Sequence, residues 1–136
     1  MKTCATSTPW GLAGLVALAA LWPASGHACG ACVEDKVAVV YDHTVVQQAA
    51  ANDSVVVFCE VVGPMDLARV QSAARSARGV KPSSVRVSRQ PGALSFMVDT
   101  KMLTPRDVVK DIQRALGRTL QLSIVHLRMP EARSAQ

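Results

Sequence analysis

The sequence predicts a small α+β domain, and three observations support this prediction. Short strand-like runs recur at Val55–Val62, Val85–Ser88, Leu94–Val98 and Leu120–Leu127. A stretch with helical spacing lies between the first run and the second, and another lies between the third and the fourth. A further helical pattern precedes all four runs. The predicted order of elements is therefore α-β-α-β-β-α-β.

The beginning of the chain resembles an export signal. Lys2 precedes a nearly unbroken apolar run of 12 residues from Gly11 to Trp22. A helix needs about 20 apolar residues to cross a membrane, so this run is better suited to a signal peptide than to an anchor. Small residues follow it, and we expect cleavage after Ala28, with cleavage after Gly26 as the alternative. Residues 1–28 are therefore predicted to be a cleaved signal peptide, and the mature protein is predicted to be periplasmic or secreted.

The mature chain is predicted to begin with a helix over Val33–Ala51. Its apolar residues are spaced for one helical face, and two acidic residues occupy its first turn, where the helix dipole favours them. The polar residues 52–54 end this pattern before the first strand, Val55–Val62. That strand is apolar on both alternations except at Glu60, which is typical of a buried central strand.

The second helix is predicted to follow Gly63-Pro64 and to be capped at its end by Gly79. Its buried stripe would consist of Leu67, Val70, Ala74 and Ala77. The two middle strands alternate with period two around Gln90-Pro91-Gly92-Ala93, which predicts a hairpin. Proline followed by glycine suits the central positions of a type II turn.

The last helix has strong start and stop signals. Thr104 is a suitable cap, Pro105 occupies the first helical position, and Gly117 follows the last apolar residue of the stripe. The final strand, Leu120–Leu127, comes next, and residues 130–136 are predicted to be a flexible tail.

The β-α-β-β-α-β order defines the expected fold. Short connections and right-handed crossovers fold this order into a four-stranded antiparallel sheet with two helices on one face. This arrangement is the ferredoxin-like sandwich. We expect it to span residues 53–129 and to be preceded by a separate segment, residues 29–52, that carries the extra N-terminal helix.

From residue 55 to about residue 127 the chain resembles the heavy-metal-associated domain family. The resemblance rests on a strand that ends in glycine (VVVFCEVVG), a helix that closes on Gly79-Val80, the hairpin SVRVSRQPGALSFMVD, and a capped helix before the last strand. It implies the ferredoxin-like fold and soft-metal binding. That family carries a Met-x-Cys-x-x-Cys metal loop directly after the first strand, whereas this chain has Gly63-Pro64-Met65-Asp66 there. No metal ligand is therefore transferred to that loop.

The candidate metal site is instead Cys29-Gly30-Ala31-Cys32, at the start of the N-terminal helix. Two thiolates three positions apart at the mouth of a helix can converge on one soft ion, and both Cu(I) and Zn²⁺ fit. Loss of Cys4 with the signal leaves an odd number of cysteines, which a purely structural set of disulfides does not use. Cys59 is a possible third ligand if the N-terminal helix lies across the sheet. We interpret Cys29 and Cys32 as the ligands of a copper chaperone or buffer, with zinc as the alternative ion.

Other interpretations of these cysteines remain open. The same pair suits a periplasmic thiol-disulfide redox protein, or a disulfide without further function, and lipidation of Cys29 is another alternative. No Ser/His/Asp set, paired carboxylates or Gly-rich phosphate loop stands at a workable spacing, so the sequence predicts no enzyme. His43 and His126 are interpreted as a surface histidine and a partly buried strand histidine.

The middle of the chain is basic, in a protein whose net charge is +5. Between Asp66 and Asp99 there is no acidic residue, and the basic ones are Arg69, Arg75, Arg78, Lys81, Arg86 and Arg89. If these basic residues lie on one face, they would suit an acidic protein partner or a membrane surface. A further hypothesis is therefore that the protein is an interaction module that binds no metal. RNA recognition on this fold stacks bases on several strand aromatics, and only Phe58 and Phe96 are available, so no nucleic-acid partner is predicted.

Overall fold

The computed structural model describes residues 32–130. In chain order its helices and strands are α1 Val33–Ala38, α2 His43–Ala51, β1 Val55–Val62, α3 Leu67–Ser76, β2 Arg86–Ser88, β3 Ala93–Val98, α4 Pro105–Leu116 and β4 Gln121–Arg128. A short 3-10 turn, Pro82–Ser84, precedes β2. None of the helices between residues 32 and 130 has the length and hydropathy needed to cross a bilayer. The predicted signal peptide (1–28), Cys29 and the tail after residue 130 lie outside the described residues.

The four strands form one antiparallel sheet in the order β2-β3-β1-β4. The central strand β1 pairs with β3, where Val55 lies opposite Val98, and with β4, where Val62 lies opposite Gln121. With the β-α-β-β-α-β sequence order, this arrangement is the ferredoxin-like topology. The predicted fold class is therefore confirmed.

One face of the sheet packs against α3 and α4. The odd-numbered residues of β1 face these helices and share a buried cluster with Val70, Ala74, Val108, Ile112 and Leu116. Asp66 caps α3 and Thr104 caps α4, each accepting backbone N–H groups of the first turn. Of the stripe predicted for α3, Val70 and Ala74 are buried, whereas Leu67 and Ala77 are half-buried. The helix α3 ends at Ser76, so Gly79 is not its cap.

The other face of the sheet is covered by α1 and α2. Its buried cluster consists of Val40, Val45, Ala49, Val56, Phe58, Ala93 and Met97. The Ser95 hydroxyl of β3 donates a buried hydrogen bond of 2.7 Å to the Val40 carbonyl, which ties the segment to the sheet. The domain therefore has three layers, and the burial of every residue of β3 follows from this double cover.

The prediction of a single helix over residues 33–51 is wrong, because the structure has two helices separated by residues 39–42. The cause is Asp42, whose carboxylate accepts hydrogen bonds from the Thr44 and Val45 N–H groups at 2.9 and 3.2 Å. A side chain that satisfies these orphan donors starts a new helix. The break also brings Val40 down onto the sheet, where it is buried.

The predicted hairpin of β2 and β3 is present, but its loop is not a type II turn. The Gln90–Pro91 peptide bond is cis, and Gly92 lacks the positive φ that a type II turn requires. Glycine is needed at this position because the backbone of β1 comes close. A Cβ on Gly92 would lie 2.3 Å from the Val61 carbonyl oxygen. The Val61 N–H also donates to the Gly92 carbonyl at 2.9 Å.

We expect Ser95→Ala to lower the free energy of unfolding by about 1–3 kcal/mol, because the buried Val40 carbonyl would lose its donor. The matched control is Ser76→Ala, which removes a 2.8 Å hydrogen bond to the Ser72 carbonyl on an exposed helix surface. The control should change stability by less than about 0.5 kcal/mol. Urea denaturation measures both variants, and equal losses would contradict a docked α1–α2 segment.

Candidate metal site

Cys32 lies at the N-cap of α1 and is exposed. Its backbone N–H donates to the Asp35 carboxylate at 3.2 Å, which closes the first turn of the helix. The next turn is anchored to the sheet by an ion pair of 2.5 Å between Lys36 and Glu60. Val37, the next residue, packs against the core under α1 and α2. The exposed Cys32 thiol therefore lies at the start of a helix that the Lys36–Glu60 ion pair holds against β1.

Lys36 and Glu60 form the most enclosed ion pair among the described residues, with side chains 14% and 32% exposed. Glu60 is the one charged residue of β1, and it lies on the face that α1 covers. Because an unpaired charge is costly under a helix, the pair favours one position of α1 on the sheet. The location of Cys32 depends on this position of α1, because Cys32 is the N-cap residue of the helix.

Cys59 lies on the opposite side of the sheet from Cys32. It is 1% exposed and belongs to the core that faces α3 and α4. Burial raises the pKa of the Cys59 thiol to about 12, so the group is protonated at neutral pH. The thiolate is the form that binds metals. The N-terminal helices do lie across the sheet, but on the wrong face for Cys59, so the structure does not bring the possible third ligand to the site.

An apolar hollow of about 360 Å³ lies between α1 and β4. It is lined by Val33, Glu34, Val37, Ala38, Tyr41 and His126. Phe58 supports its two rings: the Tyr41 ring stacks on Phe58 at 6.5 Å, and the His126 ring is tilted against it at 5.8 Å. Val33 follows Cys32 directly, so this hollow begins beside the candidate ligand.

The sequence offered no strong sign of this hollow. The interpretation of His126 from the sequence as a partly buried strand histidine is wrong, because this side chain is exposed on an edge strand. His43 is the first residue of α2 and is also exposed, in a second depression that it shares with Tyr41 and Arg128. Within residues 32–130, no three His, Cys, Asp or Glu side chains are grouped so that they could hold a metal ion.

The basic residues of the middle segment lie on both sides of the sheet. Arg86 faces the α1–α2 layer, where its guanidinium contacts the Asp42 carboxylate at 2.8 and 3.0 Å. Arg69 lies on the α3–α4 side and donates to the Leu116 carbonyl at 2.9 Å. These two therefore link elements within the chain. An acidic partner or a membrane surface for the six basic residues remains a prediction.

The fold and the site together define a ferredoxin-like α+β protein with an exposed cysteine at the start of a docked helix. Comparison of the chain with protein-family models, curated proteins and solved structures gave no match. The resemblance to the heavy-metal-associated family therefore remains a prediction from the sequence pattern.

We expect the two described cysteines to differ sharply in reactivity. In the reduced protein, iodoacetamide should modify Cys32 quickly, because this thiol is exposed. Cys59 should react only as the domain opens, because its thiol is buried and protonated. Peptide mass spectrometry at timed points follows each site. Modification of Cys59 at the rate of Cys32 in the folded protein would contradict the placement of Cys59.

The Asp42–Arg86 pair should make stability depend on pH. The Arg86 hydrogen bond, with help from the α2 backbone, lowers the pKa of Asp42. The stabilisation is therefore complete above the unfolded pKa of about 3.9, and it is lost as the pH falls through the lower folded value. Asp42→Asn keeps a cap acceptor but removes the charge. Thermal unfolding should show the variant less stable at neutral pH and equal to the wild type in strong acid, whereas a difference independent of pH would contradict the pair.

Proposed function

We propose that the protein is an exported copper-binding protein that holds Cu(I) between the thiolates of Cys29 and Cys32 and either buffers the ion or passes it to a partner. The observation that carries this proposal is the exposure of Cys32 at the start of the anchored helix α1. The second sulfur is only three positions away in the sequence. Thiolates are soft ligands that suit Cu(I).

The exposed position of the candidate site favours a metal ion that is transferred to other ligands over a metal ion that stays bound permanently. A buffer or a chaperone must release its cargo, and a partner's thiolate can displace a metal ligand only where it has access to the metal. Cys32 lies on an exposed turn, while the buried Cys59 is closed to such an exchange. The Lys36–Glu60 pair keeps the turn in place while its surface stays open.

The charges near Cys32 also favour a bound cation. Glu34 and Asp35 occupy the first turn of α1, next to the ligand. A metal ion offsets two nearby carboxylates, whereas a pair of free nucleophilic thiolates would be repelled by them. This arrangement supports metal binding over the thiol-disulfide alternative.

The number of sulfurs supports Cu(I) over Zn²⁺. Structural Zn²⁺ sites in proteins take four ligands. The pair of Cys29 and Cys32 would leave Zn²⁺ two ligands short. We therefore propose Cu(I) as the cargo and retain Zn²⁺ as the competitor to be tested.

An anaerobic competition titration against a coloured Cu(I) chelator tests the proposal. We expect one Cu(I) to bind per chain in the processed protein purified from the periplasm. Changing Cys29 and Cys32 to serine should weaken binding by more than the roughly 10- to 100-fold that loss of an outer-shell partner costs. Cys59→Ala is the matched control, and it should leave the Cu(I) affinity unchanged because its thiol lies in the core.

Equal Cu(I) affinity in the wild type and the double serine variant would overturn the proposal. A parallel Zn²⁺ titration shows which ion the pair prefers. If the pair takes up no metal but is reduced and reoxidised by a disulfide substrate, the protein is a thiol-disulfide protein instead.

A further inference from the structure

The positive charge of the described chain is concentrated on one layer of the domain. Residues 66–78 and 104–118, which contain α3, α4 and their N-caps, hold seven basic and three acidic residues. The remaining residues between 32 and 130 hold six of each sign, so they carry no net charge. We call the first set the α3–α4 layer. Its basic residues, all of them exposed, are Arg69, Arg75, Arg78, Arg106, Lys110, Arg114 and Arg118.

The charges of this layer that stay free are those of its arginines, because each of its acidic residues has a partner within the layer. Asp66 accepts the N–H groups that begin α3, at 3.0 and 3.3 Å. Asp107 accepts from the Thr104 hydroxyl at 2.7 Å. Asp111 binds Arg114 at 2.8 Å. Five guanidinium groups of the layer have no ion-pair partner among residues 32–130, namely those of Arg69, Arg75, Arg78, Arg106 and Arg118.

A groove of about 500 Å³ runs between α3 and α4. Arg69, in the first turn of α3, and Arg78, just beyond its last turn, both line this groove. The 10 residues of α3 span about 15 Å, so the groove has a guanidinium group near each end. One small anion cannot reach both groups, whereas a chain segment with several carboxylates can. The rest of the lining is mostly small, which leaves room for the backbone of such a segment: Ser72, Ala73, Ser76, Ala77 and Ala115.

We propose that the α3–α4 layer is a docking surface for an acidic segment of a partner protein, which lies in the groove with its carboxylates on Arg69 and Arg78. A carboxylate matches a guanidinium group in charge and accepts two parallel hydrogen bonds from it. Arg69 can take part because its bond to the Leu116 carbonyl uses only one of its five N–H donors. The other free arginines of the layer attract the acidic segment and speed its encounter with the groove.

The opposite layer of the domain does not compete for such a partner. Residues 32–53, which contain α1 and α2, hold four acidic residues and one basic residue. An acidic segment is therefore repelled by the α1–α2 segment and attracted to the α3–α4 layer. A partner in the groove leaves Cys32 uncovered, because Cys32 lies on the other side of the sheet. The inference is independent of the proposed function, since it uses neither the cysteines nor a metal.

A membrane or a second copy of this chain fits the layer less well than an acidic segment does. Binding to a bilayer surface grows with the apolar area that enters it. The exposed large apolar side chains of residues 32–130 all lie outside α3 and α4. A second copy would have to offer free carboxylates, but its Asp42 is bound by Arg86 and its Glu60 by Lys36.

Fluorescence anisotropy with a dye-labelled decaglutamate peptide tests the docking surface. The processed chain is measured with a reductant and a chelator, at low ionic strength and again at about 0.15 M salt. We expect binding that weakens as salt screens the charges. Arg75→Glu/Arg78→Glu should raise the dissociation constant by about fivefold or more, because each substitution removes an attraction and adds a repulsion.

Arg89→Glu/Arg128→Glu is the charge-matched control, since both arginines are exposed outside the α3–α4 layer. It should weaken binding much less, because charges more than a Debye length from the peptide are screened at about 0.15 M salt. Circular dichroism checks that each variant is folded. Arg106→Glu/Arg118→Glu, in the same layer, replaces the first variant if that variant does not fold.

Amide shifts in nitrogen-15-labelled protein locate the bound peptide, and the largest changes are expected on α3 and α4. Absence of binding, shifts confined to α1 and α2, or equal weakening by the layer variant and the control would overturn the proposal. Binding to vesicles that contain phosphatidylglycerol, without binding to the peptide, would identify a membrane surface instead. Self-association that the layer variant abolishes, measured by sedimentation velocity, would identify a second copy as the occupant and would also overturn it.

Discussion

The constraint on which this structure depends is that both faces of its sheet are apolar and both must be covered. The helices α3 and α4 cover one face, as in a two-layer sandwich, while the other carries Val56, Phe58 and Met97. Burying side chains of this size contributes about 1.5–3 kcal/mol each. The α1–α2 segment supplies this second cover. The core therefore determines the position of the α1–α2 segment. It thereby also determines the position of the surface turn that carries Cys32.

Most of the fold could be predicted from the sequence because its signals are local. The alternation of the strands, the Thr104-Pro105 start and the apolar stripes lie within single elements. The exceptions depend on contacts between distant residues. Gly92 is required by the backbone of Val61, which belongs to another strand. Asp42 divides the N-terminal helix, although the apolar spacing continues across it, because its carboxylate caps α2 and binds Arg86.

The candidate site could be predicted only in part, for a related reason. Cys32 is found from its spacing to Cys29, whereas its exposure is seen only in the structure. The side of the sheet on which Cys59 lies was not predicted from β1, because both alternations of that strand are apolar except at Glu60. One signal was available: Glu60 is the exception in the run, and a charge on that alternation indicates the face where a partner such as Lys36 lies.

The core fixes α1, α1 presents Cys32, and the hollow beside α1 ends at the edge strand β4. X-ray absorption at the copper edge of the loaded protein tests the central claim most directly. Two sulfur neighbours for each Cu(I), absent when Cys29 and Cys32 are changed to serine, are the predicted result. A copper shell made mainly of nitrogen or oxygen, or one unaffected by those substitutions, would contradict the account.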